Sequence, residues 1–179
     1  MGHRIYVIRV FLAVAMLAAT VTANAQRHGN HLGVGVGALY ERGLDATVFV
    51  EHEMQHLNTW EYFVSGYLKW DDDAESGHAT KQSFWRNYRT WTVGIAYKPC
   101  VIRNVNCDKN NYGSLRIGGG IGSDAHEVIG IVTAGYEHDF VLRHGWRLFF
   151  QAKVDACING RDLFRTGVVI GVKLPTNLK

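Results

Sequence analysis

The sequence predicts an all-β chain: an antiparallel up-and-down β-barrel of about eight strands, of the outer-membrane type, behind an N-terminal signal peptide. Three observations carry this. Apolar residues alternate with polar residues or glycine in about eight separate stretches, with turn-rich pieces between them. Alternation alone also suits a soluble antiparallel sandwich, but here the face opposite the apolar stripes carries too much charge for a sandwich interior. Finally, Trp60 and Trp70 end one apolar stripe ten residues apart. That separation is about 33 Å along a strand and about 25 Å along the membrane normal at roughly 40° of tilt, the height of an outer-membrane apolar band.

The first element is an export segment, residues 1–25. Arg4 and Arg9 supply its positive start, Val10 to Val21 its apolar stretch, and Ala23-Asn24-Ala25 a small-x-small site that predicts cleavage between Ala25 and Gln26. The apolar stretch is shorter than the roughly 20 residues of a spanning helix. A short tail, 26–31, follows, then the barrel, 32–174, and a C-terminal tail, 175–179. His28 and His31 fall in the first tail, where solvation is a plainer reading than metal binding.

In the first strand Leu32, Val34, Val36, Ala38 and Tyr40 alternate with Gly33, Gly35 and Gly37. A second strand fits Ala46 to Glu53. In the third, Trp60, Tyr62, Val64, Leu68 and Trp70 alternate with Glu61, Ser65, Tyr67 and Lys69. Thr90 to Tyr97, Tyr112 to Gly122 and Glu127 to His138 follow. The last two strands, Trp146 to Ala156 and Phe164 to Leu174, set apolar stripes against Arg147, Gln151, Lys153 and Asp155, and against Arg165, Gly167, Gly171 and Lys173.

On this pattern Trp60 and Trp70 mark the two membrane interfaces; Tyr97, Tyr136 and Trp146 join one aromatic girdle and Tyr40 the other. Glu51, Glu61, Glu137, Lys69, Arg116, Arg147, Lys153 and Arg165 form a mixed-sign network inside. Gly33, Gly35, Gly37, Gly118, Gly120 and Gly122 leave room for the long basic chains. Eight strands enclose only enough space for side chains, so the interior is expected to be plugged. Residues 71–83, with Asp71-Asp72-Asp73, read as the longest extracellular loop. Residues 99–111 read as an unusually long periplasmic one, closed by a disulfide between Cys100 and Cys107. Cys157 reads as a half-buried apolar residue or a free thiol.

Composition removes several classes of function. Nineteen basic residues face sixteen acidic ones, and without Arg4 and Arg9 the balance is 17 to 16, so no basic nucleic-acid surface is indicated. His52-Glu53-Met54-Gln55-His56 matches H-E-x-x-H, which binds zinc only when a helix puts both histidines on one face. The surrounding β-branched alternation predicts a strand, which sets His52 and His56 about 13 Å apart. Gly118 to Gly122 lacks the Lys-Ser or Lys-Thr of a phosphate loop. Ser123, Asp124, His126 and Glu127 can be drawn as a hydrolytic rim cluster, but four turn-type residues are the plainer reading.

The chain resembles the TraO family of conjugative-transposon transfer proteins of Bacteroidetes. The resemblance lies in the export segment followed by Ala25-Gln26-Arg27 and a Gly-Val-Gly strand. It continues in Asn58-Thr59-Trp60 leading into Ser65 to Lys69, Gly118 to Gly122, Gly135-Tyr136-Glu137, and a final Gly167 to Leu174. No terminal aromatic closes the last strand. The resemblance implies a non-enzymatic outer-membrane component of a conjugation apparatus. It would act in DNA transfer without cofactors or catalytic residues, with membrane lipid and other transfer proteins of the envelope as partners and no direct contact with nucleic acid. Two other readings stand beside it. One is a small barrel with an adhesive or envelope-stabilising role through loop 71–83; the other is an outer-membrane hydrolase or zinc protease.

Overall fold

The computed structural model describes residues 29–39, 43–69, 89–106, 109–124, 127–160 and 163–176. Ala25, Gln26, His28, Tyr40, Trp70, loop 71–83, Cys107 and His126 lie outside them, as does the export segment.

Among the described residues nine strands form one antiparallel sheet: β1 (Asn30–Leu39), β2 (Gly43–Glu53), β3 (Thr59–Lys69), β4 (Arg89–Lys98), β5 (Cys100–Asn106), β6 (Lys109–Ser123), β7 (Val128–Val141), β8 (Arg147–Ile158) and β9 (Phe164–Pro175). β1 pairs with both β2 and β9, and β4 pairs with β6, so the sheet closes on itself. β5 continues the line of β4 beyond Pro99 and pairs with the first part of β6. The barrel therefore has eight staves, one of them made of β4 and β5.

Register fixes the shape. The pairs run Asn30, His52, Trp60, Tyr97, Ile117, Ala134, Val154 and Thr166 around the wall, and the next residue of β9, Gly167, pairs with Leu39. One circuit thus advances the chain by about ten residues along β1. Such a stagger on eight strands goes with strands tilted by roughly 35–45°.

Alternation sorts the side chains as period two requires. Val34, Val36, Val48, Tyr62, Trp91, Ile95, Ile117, Ile121, Val132, Phe150, Val154, Val168 and Ile170 stand exposed on the outside, an apolar belt around the molecule. Soluble monomers rarely expose a contiguous apolar surface of this extent. In an outer-membrane barrel it is the wall that meets lipid.

Both termini of the barrel leave from one end, where His31 pairs with Pro175. The connections at this terminal end include two tight turns of the same form, Gln55–Leu57 and Arg143–Gly145, each with a histidine in the left-handed region: His56 at φ 64 and His144 at φ 61. Each is closed by a 2.7 Å backbone hydrogen bond, from the Met54 N–H to the Asn58 carbonyl and from the Leu142 N–H to the Trp146 carbonyl.

The segment read as a periplasmic loop, 99–111, is instead mostly strand. Cys100–Asn106 pairs with Lys109–Ser114 as a hairpin that prolongs the barrel wall at the terminal end. This corrects the expected disulfide. Cys100 and Asn106 begin and end one extended strand, a span of about 20 Å, whereas a bridge needs Cα atoms within about 7 Å. Cys100 carries a free thiol, which donates to the Ile102 carbonyl at 3.4 Å. The loop composition of Pro, Asn and Cys conceals a strand that, among the described residues, has one neighbouring strand.

Candidate functional site in the barrel interior

The inward register of β2, β3, β4, β6, β7, β8 and β9 brings charged residues far apart in sequence into one interior. At its terminal end three carboxylates converge on one ammonium. Lys98 Nζ meets Glu51 at 2.5 Å, Glu137 at 2.8 Å, and Glu61 as well. Lys173 Nζ lies beside it, 2.9 Å from Glu51, 2.6 Å from Glu137 and 2.8 Å from Asp139. Arg116 crosses the lumen from β6, donating through Nη2 and Nε to Glu61 at 2.7 and 3.0 Å and through Nη1 to Thr133 at 2.6 Å. Lys98 and Lys173 are each 1% exposed, so these ions have exchanged water for one another. Such groups survive burial only when paired and hydrogen-bonded.

An aromatic layer lies against this cluster. Phe49 and Phe149 meet edge to face with centroids 5.4 Å apart, and Phe63 joins the same buried group. The cations rest on these rings: Lys98 5.0 Å from the Phe49 centroid, Arg116 4.7 Å from Phe63 and Lys173 5.4 Å from Phe149. Toward the opposite end Lys153 bridges Asp45 and, at 3.1 Å, Asp155. There Arg165 donates to Thr90 at 2.9 Å and lies 4.1 Å from the Tyr67 ring. A cavity of about 10 Å³ is lined by Thr47, Phe63, Arg116, Gln151 and their neighbours. That is room for about one water and not for a channel.

The inward glycines serve these rings. A Cβ on Gly33 would lie 2.1 Å from the Phe49 ring, one on Gly94 2.4 Å from Phe63, and one on Gly171 2.5 Å from Phe149. The space left by Gly33, and in part that left by Gly35, is therefore filled by aromatic rings and not by the long basic chains expected. Gly37, Gly118, Gly120 and Gly122 lie against carbonyls of the neighbouring strands, at 2.6 Å or less from an added Cβ.

The structure places Glu61, Arg116, Glu137, Lys153 and Arg165 deep inside, and Glu51 with them. Arg147 pairs with Glu53 at 2.9 Å nearer the terminal mouth, and Lys69 ends β3 half-buried. Lys98, Lys173 and Asp139, which lie outside the expected network, complete the cluster. Lys98 follows Thr92 and Ala96 on the inward parity of β4, so extending that alternation up to Pro99 reveals it.

Glu51, Glu61 and Glu137 offer oxygens close enough for one metal ion. Their focus is held by Lys98 Nζ, an internal cation that leaves them no need of a metal. The H-E-x-x-H string does not make a zinc face either: His52 is the next-to-last residue of β2, where its Nδ1 is 2.8 Å from Asn30 Oδ1, and His56 sits in the turn. At the opposite rim Ser123 ends β6, and Asp124 Oδ1 accepts the Glu127 N–H at 2.9 Å, closing a turn.

Outside, Trp60 and Tyr97 stand directly opposite across β3 and β4, with centroids 5.0 Å apart. Tyr136 lies 2.9 Å from His138 Nδ1, and Trp146 is exposed beside the turn at the same end. Trp91 and Phe164, outside the expected girdles, are exposed toward the other end, near the starts of β4 and β9.

No family model matches the chain, and no curated protein matches it. Solved structures do. The chain is similar to a major outer membrane protein from Thermus thermophilus, at 11% identity and TM-score 0.53, over 84% of this chain and 100% of that one. It is similar to Neisserial surface protein A (NspA) at 8% identity and TM-score 0.53, over 82% of this chain and 94% of that one. At such identities the likeness is one of fold: a closed eight-stranded antiparallel barrel of the outer-membrane type.

Proposed function

We propose that this protein is a non-conducting, non-enzymatic barrel of the outer membrane that serves conjugal DNA transfer as a docking component of the transfer apparatus. The observation that carries the anchoring part is the combination of an apolar belt outside with an ion-paired interior inside. A wall that faces lipid and a lumen without a passage leave the ends of the barrel as the working surfaces. Outer-membrane barrels keep short turns on the periplasmic side and longer loops outside. On that rule the two tight turns support a periplasmic position for the terminal end, with its β5–β6 hairpin, and a cell-surface position for the opposite rim. The transfer role rests on the resemblance to the TraO family.

A clean deletion in a transposon-bearing donor tests it. Transfer frequency is expected to collapse and to return with the wild-type gene in trans. Unchanged transfer frequency refutes the role. Membrane fractionation of the tagged protein and heat-modifiable gel migration test the location and the barrel separately.

A further inference from the structure

We infer that the free edge of β5 accepts an extended, acidic polypeptide segment of a periplasmic protein as an additional strand, an inference that rests on the orientation proposed above. β4 is flanked by β3 and by β6, but the β3 ladder ends at Thr59 opposite Lys98. The last tie is the Cys100 N–H donating to Asn58 Oδ1 at 3.1 Å. From Val101 onward, among the described residues, β5 pairs with β6 alone. One row of its backbone N–H and C=O groups is thus a template for a further strand, the geometry of β-augmentation. The edge lies beyond the Trp60 and Tyr97 pair, past the apolar belt. Val101 and Ile102 are nevertheless 52% and 47% exposed there, offering apolar contact to an added strand.

Charge selects the occupant. Among the described residues, the exposed ionisable side chains of this rim are Arg103, Arg143, His56 and His144, while the acidic groups Glu53 and Asp139 are turned inward and paired. A second copy does not fit the edge. Two barrels in one membrane are related by a two-fold axis along the normal, which points both β5 strands the same way but tilts them oppositely, so that they cross with identical residues at the crossing. In a parallel ladder each residue bonds to the pair flanking its opposite number, so equal residues at equal height cannot close it. The β1–β9 seam, from which both termini leave, is three strands away by way of β3 and four by way of β6.

The test uses the chain from Gln26 refolded in micelles and a synthetic eight-residue peptide alternating Val or Thr with Asp or Glu. Controls are an isomer of equal charge interrupted by proline, and phosphatidylglycerol vesicles. The acidic strand peptide is expected to bind and to slow amide exchange at Val101 to Asn106. Arg103→Glu and Ile102→Asp should each weaken binding by roughly tenfold while leaving heat-modifiable migration unchanged. Equal binding of the proline isomer, complete competition by the vesicles, or unaltered exchange along β5 overturns the inference. Because the readout is made in micelles, it can fail while outer-membrane fractionation succeeds, and the reverse, so the two readings are separable.

Discussion

Lys98 gathers three buried carboxylates, Glu51, Glu61 and Glu137, around one ammonium. Removing its charge leaves them facing one another with only Lys173 and Arg116 as compensation. Lys98→Met should therefore cost about 3–5 kcal/mol, as breaking a buried pair does by stranding the other charge. Urea titration of the refolded barrel, followed by gel mobility, measures it; an unchanged midpoint would show that the cluster repacks freely. The glycines permit a matched comparison. Gly33→Ala puts a methyl into the Phe49 ring and is expected to cost about 1–3 kcal/mol through overpacking. An added methyl at Gly66 meets nothing within 4 Å, so Gly66→Ala should be neutral or slightly stabilising in the same titration.

At the scale of the strands, two features make sharp tests. β5 separates Cys100 from the disulfide that composition suggested. Maleimide is expected to modify Cys100 in the folded barrel without prior reduction, whereas Cys157, 2% exposed, reacts only on unfolding. Burial pushes the Cys100 thiol above its ordinary pKa, so its labelling should accelerate at higher pH than that of a free cysteine. Intact mass under non-reducing conditions decides it: a species two hydrogen atoms lighter, with Cys100 in the bridge, refutes the strand. The belt makes the second test. Val36 lies midway along β1 and Val128 opens β7. Val36→Arg should cost about 2–4 kcal/mol in a bilayer and Val128→Arg about 0–1. These elements also show what the sequence reveals and what it hides. Eight of the nine strands are legible because period two is a local property of each stretch. Phe49, Phe63 and Phe149 escape it, since an apolar residue on the inward parity breaks the alternation without saying what it packs against. Lys98 hides behind Pro99, and β5 has the composition of a loop because, among the described residues, one of its edges is left unpaired.

For the whole molecule the decisive property is closure. A shear of about ten residues on eight strands gives an interior just wide enough for side chains. Two kinds of side chain fill it: the Lys98 and Lys173 cluster with Arg116 crossing to Glu61, and the Phe49, Phe63 and Phe149 layer against it. The ions rest on the rings, and Lys153 with Asp45 and Asp155 fills the interior toward the opposite end, so an ion crossing the barrel must breach all of these contacts. Planar-bilayer recordings of the wild-type protein are therefore expected to show no large, stable conductance. Arg116→Ala combined with Glu61→Ala leaves Lys98 and Lys173 paired with Glu51 and Glu137 and should stay closed, whereas adding Phe63→Ala also removes the ring under Arg116 and should admit small openings. Stable conductance from the wild type would show that the interior rearranges in the bilayer and would return the protein to the class of pores. Openings from the double variant alone would assign the seal to the ionic layer and leave the rings a packing role.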